Sequence, residues 1–281
     1  MLAAVTETRP VPRNAIFDAN RATGRIALSV RAEGGRTRRS KVHEAGSLRV
    51  RFPNVTTDAL EAVIVNTGGG MTGGDRFSIA IEVGEGARLV AGTAAAEKIY
   101  RSNGPNTEMT VTLSVAAGGH LAWLPQETIL FDQARLSRHI DIDFAENASL
   151  IMVEAVLFGR AAMGEAVVQG FVADRWRLRR GGRLVFADSL RLDGAIADTL
   201  GQCAATNGGI ALATVLIAPG GDDQLAAVRA LEEQFVGEVG ISAWNGIAVA
   251  RLCAKDGAGL RRDLIAVLAA LGTTVPRLWH Q

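Results

Sequence analysis

The chain has 281 residues, with 30 Lys and Arg against 29 Asp and Glu. A balanced charge gives no overall field that would attract it to nucleic acid or to an anionic membrane. No apolar run reaches the roughly 18 residues of a membrane span, and the N-terminus lacks the pattern of a signal peptide. We therefore expect a cytoplasmic protein with a single domain over residues 1–281, of which the first ~20 are expected to be flexible.

Apolar and polar residues alternate along most of the chain, with the period of two that is typical of half-buried strands. A hairpin is predicted where Gly181 and Gly182 separate two such segments. The basic run at residues 36–41 is expected to be a solvated loop. Strands are predicted around residues 26–30, 48–52, 77–83, 111–115, 140–144, 176–178 and 184–186.

Two segments near the C-terminus have apolar residues at helical spacing instead. The first begins at a capping aspartate, Asp222 or Asp223, and is expected to end at Gly237. The second covers residues 259–271 and is closed by Gly272. Many strands followed by two late helices predict a mainly β fold and not one in which strands and helices alternate.

A glycine-rich segment at residues 66–77 has the spacing G-x-G-x-x-G after an apolar run. A dinucleotide site also needs a helix that begins at the third glycine and binds the pyrophosphate at its N-terminus. Here the glycines lead into the alternating pattern of a strand at residues 77–83, so we expect no nucleotide site. The side chain of Asp75, at the exit of the loop, is expected to cap the turn by bonding to the glycine backbone.

The residue types that build tight metal sites or activated nucleophiles are scattered. No spacing among them matches a zinc motif, and neither a G-x-S-x-G elbow nor a Cys–His pattern occurs. We predict no tight built-in metal site, no tightly bound cofactor, and buried free thiols instead of a disulfide. The residues concerned are His43, His120, His139, His280, Cys203 and Cys253.

Three sequence blocks follow the glycine loop, whose end reads G-G-M-T-G-G-D. They read T-A-A-A-E-K-I-Y-R-S at residues 93–102, W-L-P-Q-E-T-I-L-F at residues 123–131, and G-R-A-A-M-G-E at residues 159–165. The chain closes with P-R-L-W at residues 276–279. In this order and spacing the chain resembles the UreD (also called UreH) family of urease accessory proteins, from about Gly24 to Trp279.

The resemblance implies stacked strands in a β-helix-like arrangement, with two α-helices near the C-terminus. It also implies a scaffold and metallochaperone and not an enzyme. Proteins of this family join the accessory protein UreF and the GTPase UreG on nickel-free urease, and the assembly inserts nickel into the urease active site. Nickel (Ni²⁺) would be a transient cargo, which agrees with the lack of a tight metal motif, because a relay has to release its ion.

The resemblance suggests carboxylates for a nickel path, and we take those in or beside the motif blocks. Glu154 lies in an apolar run, where a buried carboxylate needs a partner. Arg160 is the expected partner in a purely structural interpretation, and a water-filled passage is the alternative. The candidates for the nickel path are Asp75, Glu127, Asp132, Glu154 and Glu165.

Candidates for the partner interface come from the same blocks and from the C-terminal end, because Tyr and Arg are enriched in interface hot spots. For Trp279, as for Trp176, a place in the core is the other interpretation. The interface candidates are Lys98, Tyr100, Arg101, Arg277 and Trp279.

A second function class remains as the alternative. Stacked-strand proteins include carbohydrate-active enzymes, in which two carboxylates flank the scissile bond. Glu127 with Asp132, or Glu154 with Glu165, would form such a pair. Against this, only 5% of the residues are aromatic, whereas sugar-binding clefts use aromatic side chains for stacking.

Overall fold

A computed structural model describes residues 20–54, 59–160 and 163–280 of the chain. The expectation of a flexible start concerns residues that lie almost entirely outside this range. The described part consists mainly of strands, which form about four stacked coils of a β-solenoid. The prediction of a mainly β, stacked-strand fold is therefore confirmed.

The strands vary from two to thirteen residues in length. In chain order they are β1 (Thr23–Glu33), β2 (Arg36–Gly46), β3 (Leu48–Arg51), β4 (Leu60–Asn66), β5 (Arg76–Val83), β6 (Arg88–Thr93), β7 (Glu97–Ile99), β8 (Thr107–Val115), β9 (His120–Trp123), β10 (Thr128–Leu130), β11 (Arg135–Phe144), β12 (Ser149–Arg160), β13 (Glu165–Ala166), β14 (Gln169–Arg180), β15 (Arg183–Ala195), β16 (Ala211–Ala218), β17 (Glu238–Trp244) and β18 (Ile247–Ala254).

These strands form two sheets, and the chain passes from one sheet to the other as it coils. The first sheet has the order β15-β14-β11-β8-β5-β1-β2, and the second has the order β17-β18-β16-β12-β9-β6-β4-β3. Strands β5, β8, β11 and β14 are parallel, as are β4, β6, β9 and β12. Each coil adds one strand to each sheet, so the parallel pairs are connected through the opposite sheet and need no crossover helix.

The predicted hairpin is present as β14 and β15, which pair antiparallel. Gly181 and Gly182 both have positive φ, as the tight turn of a hairpin requires. The basic run at residues 36–41 belongs to β2, so the prediction of a loop is wrong. The reason is that β2 is an edge strand exposed on most of both faces, and such a strand needs no apolar alternation.

Three α-helices occur in the described residues, α1 (Ile196–Gly201), α2 (Asp222–Arg229) and α3 (Gly257–Ala270). The two predicted helices are α2 and α3, but α2 stops at Arg229 and is followed by a 3₁₀ turn, so the predicted end at Gly237 is wrong. Helix α1 was not predicted, because six residues are too few to display a helical period. None of these helices is long and apolar enough to cross a membrane.

Two apolar cores follow from this arrangement. The larger core lies between the two sheets, inside the solenoid. The smaller core lies where α2 and α3 cover the outer face of the second sheet. Strand β12 separates them: Met152 belongs to the inner core and Val153 to the outer core. Burial on both faces explains why the sequence of β12 is an almost unbroken apolar run.

Candidate functional site

Three charged side chains lie inside the solenoid, at positions that the alternation of the strands assigns to the core. They are Arg138 on β11, Glu154 on β12 and Asp174 on β14, and all are at most 7% exposed. Arg138 and Asp174 are register partners in the parallel pair of β11 and β14. Glu154 reaches them from the other sheet, so the group connects the two walls of the solenoid.

The guanidinium of Arg138 joins the two carboxylates. Its Nε donates to Oδ1 of Asp174 over 3.1 Å, its Nη2 donates to Oδ2 of Asp174 over 2.5 Å, and its Nη1 donates to Oε2 of Glu154. Two indoles complete the network: Trp123 Nε1 donates to Glu154 Oε1 over 2.8 Å, and Trp176 Nε1 donates to Asp174 Oδ1 over 3.1 Å. We call these five residues the interior junction.

Burial and the neighbouring charges shift the pKa values of Glu154 and Arg138. Burial raises the pKa of Glu154, because a charged carboxylate is poorly solvated inside the protein, while the charge of Arg138 opposes that shift and the charge of Asp174 adds to it. Burial also acts to lower the pKa of Arg138, but the two carboxylates overcome this effect and raise it, so the guanidinium stays charged.

Two cavities meet at the interior junction. The larger, of about 620 Å³, lies at the C-terminal end of the solenoid, and its lining includes Leu190, Leu212 and the exposed Glu238. The smaller, of about 310 Å³, lies towards the N-terminal coils and is lined by residues of β4, β5 and β8. Among the described residues, Arg138 and Glu154 line both cavities. The junction is therefore the partition between them.

The carboxylates expected on a nickel path lie in different surroundings. Asp75 and Asp132 are bound by backbone N–H groups: Asp75 accepts from Thr72 and Ala22, both over 2.8 Å, and Asp132 accepts from Val168 over 2.8 Å. Asp75 thus caps the turn as expected, but its donors are the N–H groups of Thr72 and Ala22 and not those of glycines. Of the five candidates, only Glu154 lines either of the two cavities.

The other two candidates are held by arginines. Glu127 accepts from Arg261 of α3 through both oxygens, at 2.9 and 2.6 Å, and Glu165 pairs with Arg160 at 2.5 Å. The predicted pairing of Glu154 with Arg160 is therefore wrong. Six residues along an extended strand span roughly 20 Å, so two residues of β12 at this separation cannot meet. Neither carboxylate pair of the enzyme alternative shares one of the two cavities.

Comparison with known proteins agrees with the sequence resemblance. The chain matches the UreD urease accessory protein family over residues 22–280. It belongs to this family. Among similar proteins, "Urease accessory protein UreD" of Rhodopseudomonas palustris (strain HaA2) is 58% identical over 267 residues, 95% of this chain and 96% of the relative. The protein of the same name from Bradyrhizobium diazoefficiens is 54% identical over 266 residues, 95% of this chain and 96% of the relative.

The interface candidates of this UreD-family chain divide into exposed and buried residues. Lys98, Arg101 and Arg277 are exposed, and Tyr100 is 37% exposed, with its hydroxyl donating to the carbonyl of Gly69 over 3.1 Å. Trp279 is buried in the outer core. Trp176 is also buried, so for both tryptophans the interpretation as core residues is confirmed. A contact of Trp279 with a partner would require the C-terminal segment to open.

Arg138 and Asp174 are missing from the sequence candidates, although the sequence contains the signal that finds them. Ile140 and Ile142 face the core. Arg138 lies two residues before Ile140, so the period of two in a strand places it on the same face. Asp174 precedes Trp176 in the same way. A charge at a core position of an alternating strand indicates a buried ion network.

The cysteines and the metal-binding residue types give a separate result. Cys203 and Cys253 are free, as predicted, but Cys203 is exposed and Cys253 is partly exposed, so the prediction that both are buried is wrong. Cys203 lies in the loop after α1 and not in a strand. In the described ranges, no cluster of three or more His, Cys, Asp or Glu side chains could hold a metal ion. The junction presents two carboxylates, and Arg138 neutralises part of their charge.

Proposed function

We propose that this chain is an accessory protein of urease maturation, which binds nickel-free urease together with UreF and UreG and is required for insertion of nickel into the urease active site. The observation that carries this proposal is membership of the UreD urease accessory family over residues 22–280. In this role the chain is a cytoplasmic scaffold and nickel chaperone, and not an enzyme.

Within this proposal, nickel passes through the interior junction. A divalent ion that enters an apolar interior loses its hydration, which is very costly unless oxygen or nitrogen ligands replace the water. The two cavities are large enough to hold water on either side of the partition. Glu154 and Asp174 supply carboxylates at the partition itself. We therefore assign Glu154 to the path, and we assign the other four candidates to the loops and ion pairs that they stabilise.

We place the contact with UreF on the exposed residues Lys98, Tyr100, Arg101 and Arg277. Trp279 supports this surface indirectly, because Arg261 Nη1 donates to its carbonyl over 3.0 Å and fixes the C-terminal segment. Truncation of the segment would remove a core residue as well as a surface, so single substitutions of the exposed cations test the contact more cleanly.

The substitution Glu154→Gln tests the nickel path in cells that express urease and its accessory proteins. Gln preserves the shape and an acceptor for Trp123, but it removes the charge that attracts the cation. We expect pull-down of UreF, UreG and urease to be unchanged, and the nickel content of purified urease, measured by elemental analysis, to fall several-fold.

The matched control is Glu165→Gln, which makes the same chemical change at an ion-paired residue outside both cavities. Full nickel loading with Glu154→Gln, or an equal loss with the control, would contradict the proposed path. Urease that acquires nickel normally when the whole chain is deleted would contradict the accessory role. Hydrolysis in a glycan screen with the purified chain would instead favour the carbohydrate-active alternative.

A further inference from the structure

The guanidinium of Arg138 stands where the two cavities meet, and it donates to three of the four carboxylate oxygens of the junction. Oε2 of Glu154 and Oδ2 of Asp174 accept from Arg138, Oδ1 of Asp174 accepts from Arg138 and Trp176, and Oε1 of Glu154 accepts from Trp123. Each of the four carboxylate oxygens therefore already accepts at least one hydrogen bond. A cation arriving from either cavity has to compete with these donors.

Charge leads to the same result as geometry. Arginine cannot release its proton under ordinary conditions, so it remains a cation in the partition. A second cation beside it is repelled by the guanidinium in surroundings that screen charge poorly, and this repulsion offsets much of its attraction to the two carboxylates. A divalent cation therefore binds weakly at the junction while Arg138 is in place. It can bind tightly there only by taking the position of the guanidinium.

The two carboxylates keep a fixed orientation if the guanidinium leaves. Trp123 still donates to Glu154, and Trp176 still donates to Asp174, and these bonds come from side chains that are themselves buried. Outer hydrogen bonds of this kind orient metal ligands. Thr128 Oγ1, which accepts from Arg138 Nη1 over 3.4 Å, would also become available as an oxygen ligand.

The guanidinium has space into which it can move. The cavities of about 620 and 310 Å³ both border its side chain. The side chain is long and flexible, whereas the backbone of β11 is held on both sides by β8 and β14. Displacement therefore requires rotation of one side chain and no change in the sheet.

We propose that Arg138 closes the partition between the two cavities until a divalent cation displaces it, and that the cation then binds between the carboxylates of Glu154 and Asp174. Water and the Thr128 hydroxyl complete an oxygen shell, which holds nickel more weakly than imidazole or thiolate would, so that the ion can move on. That the cation is nickel rests on the proposed function. The displacement itself does not.

The test is titration of the purified full-length chain, without a histidine tag, with NiCl₂ in a calorimeter. Wild type is expected to bind weakly, because the cation competes with the guanidinium. Arg138→Gln removes the competitor, so we expect binding about tenfold tighter or more. Adding Glu154→Gln to that variant removes one ligand and is expected to abolish the gain.

The matched control is Arg261→Gln, which frees Glu127 from another arginine pair that borders neither cavity, and it is expected to bind as wild type does. An equal gain with this control, no gain with Arg138→Gln, or a gain that survives Glu154→Gln would each overturn the proposal.

If circular dichroism shows that Arg138→Gln does not fold, Arg138→Lys replaces it. Lysine retains the neutralising charge but lacks the fork that holds two carboxylates, so tighter binding than wild type is expected, and equal binding would overturn the proposal. A gain in nickel binding together with normal urease in a deletion strain would leave the displacement intact and contradict only the urease role.

Discussion

Carboxylates in the glycine loop and in the interior junction are both buried, but they are bound by different kinds of donor. Asp75 accepts from backbone N–H groups of its own turn and of residue 22. Glu154 and Asp174 accept from side chains, chiefly from Arg138. Backbone donors cannot leave without unfolding the loop, whereas a side chain can rotate away. The first arrangement therefore stabilises the fold, and only the second can exchange its partner for a cation.

The largest effect on stability is expected when a buried ion pair is broken, in contrast to an exposed one. Arg138→Met leaves two buried carboxylates without their cation, and we expect the free energy of unfolding to fall by about 3–5 kcal/mol, measured by urea denaturation. As a control, Arg76→Met removes the exposed pair of Arg76 with Glu108, for which a change of at most about 1 kcal/mol is expected. Similar losses in the two variants would show that burial does not distinguish these pairs.

A smaller effect is expected in the glycine loop. Asp75→Ala leaves the N–H groups of Thr72 and Ala22 without their acceptor, at a cost of about 1–3 kcal/mol in the free energy of unfolding. Because Asp75 borders neither cavity, nickel binding in the calorimeter is expected to be unchanged. A change in nickel affinity without loss of stability would mean that Asp75 belongs with the carboxylates that bind the cation and not with those that stabilise the fold.

The smallest effect concerns Glu97, which lines the smaller cavity and accepts from Asn66 Nδ2 over 2.7 Å. Burial raises the pKa of Glu97, and the hydrogen bond from Asn66 opposes the shift. The folded-state pKa of Glu97 therefore lies above its unfolded value. The stability that comes from burying the neutral carboxyl of Glu97 is fully present below the unfolded pKa, and it is lost as pH rises through the folded pKa.

Glu97→Gln stays neutral at every pH. The variant should therefore gain stability relative to wild type as pH increases from about 5 to about 8, measured as the difference in denaturation midpoint. A constant difference between Glu97→Gln and wild type across this range would mean that Glu97 does not titrate as its burial requires.

The sequence alone determined the local structure and the family. Alternation with a period of two located the strands, the Gly181–Gly182 pair located the hairpin turn, and helical spacing located α3. The motif blocks indicated the UreD family, which the match over residues 22–280 confirms. These features depend on residues that are close in the chain, and such patterns are readable without knowing the tertiary arrangement.

Only the tertiary structure decided which carboxylate meets which partner. Glu154 binds Arg138, 16 residues earlier, and Asp174 binds the same arginine across 36 residues. These contacts depend on the register of parallel strands in successive coils, and a shift of one residue would turn each side chain to the other face. The local pattern predicts that Glu154 is buried, but the stacking of the coils determines that an arginine and a second carboxylate lie opposite it, between two cavities.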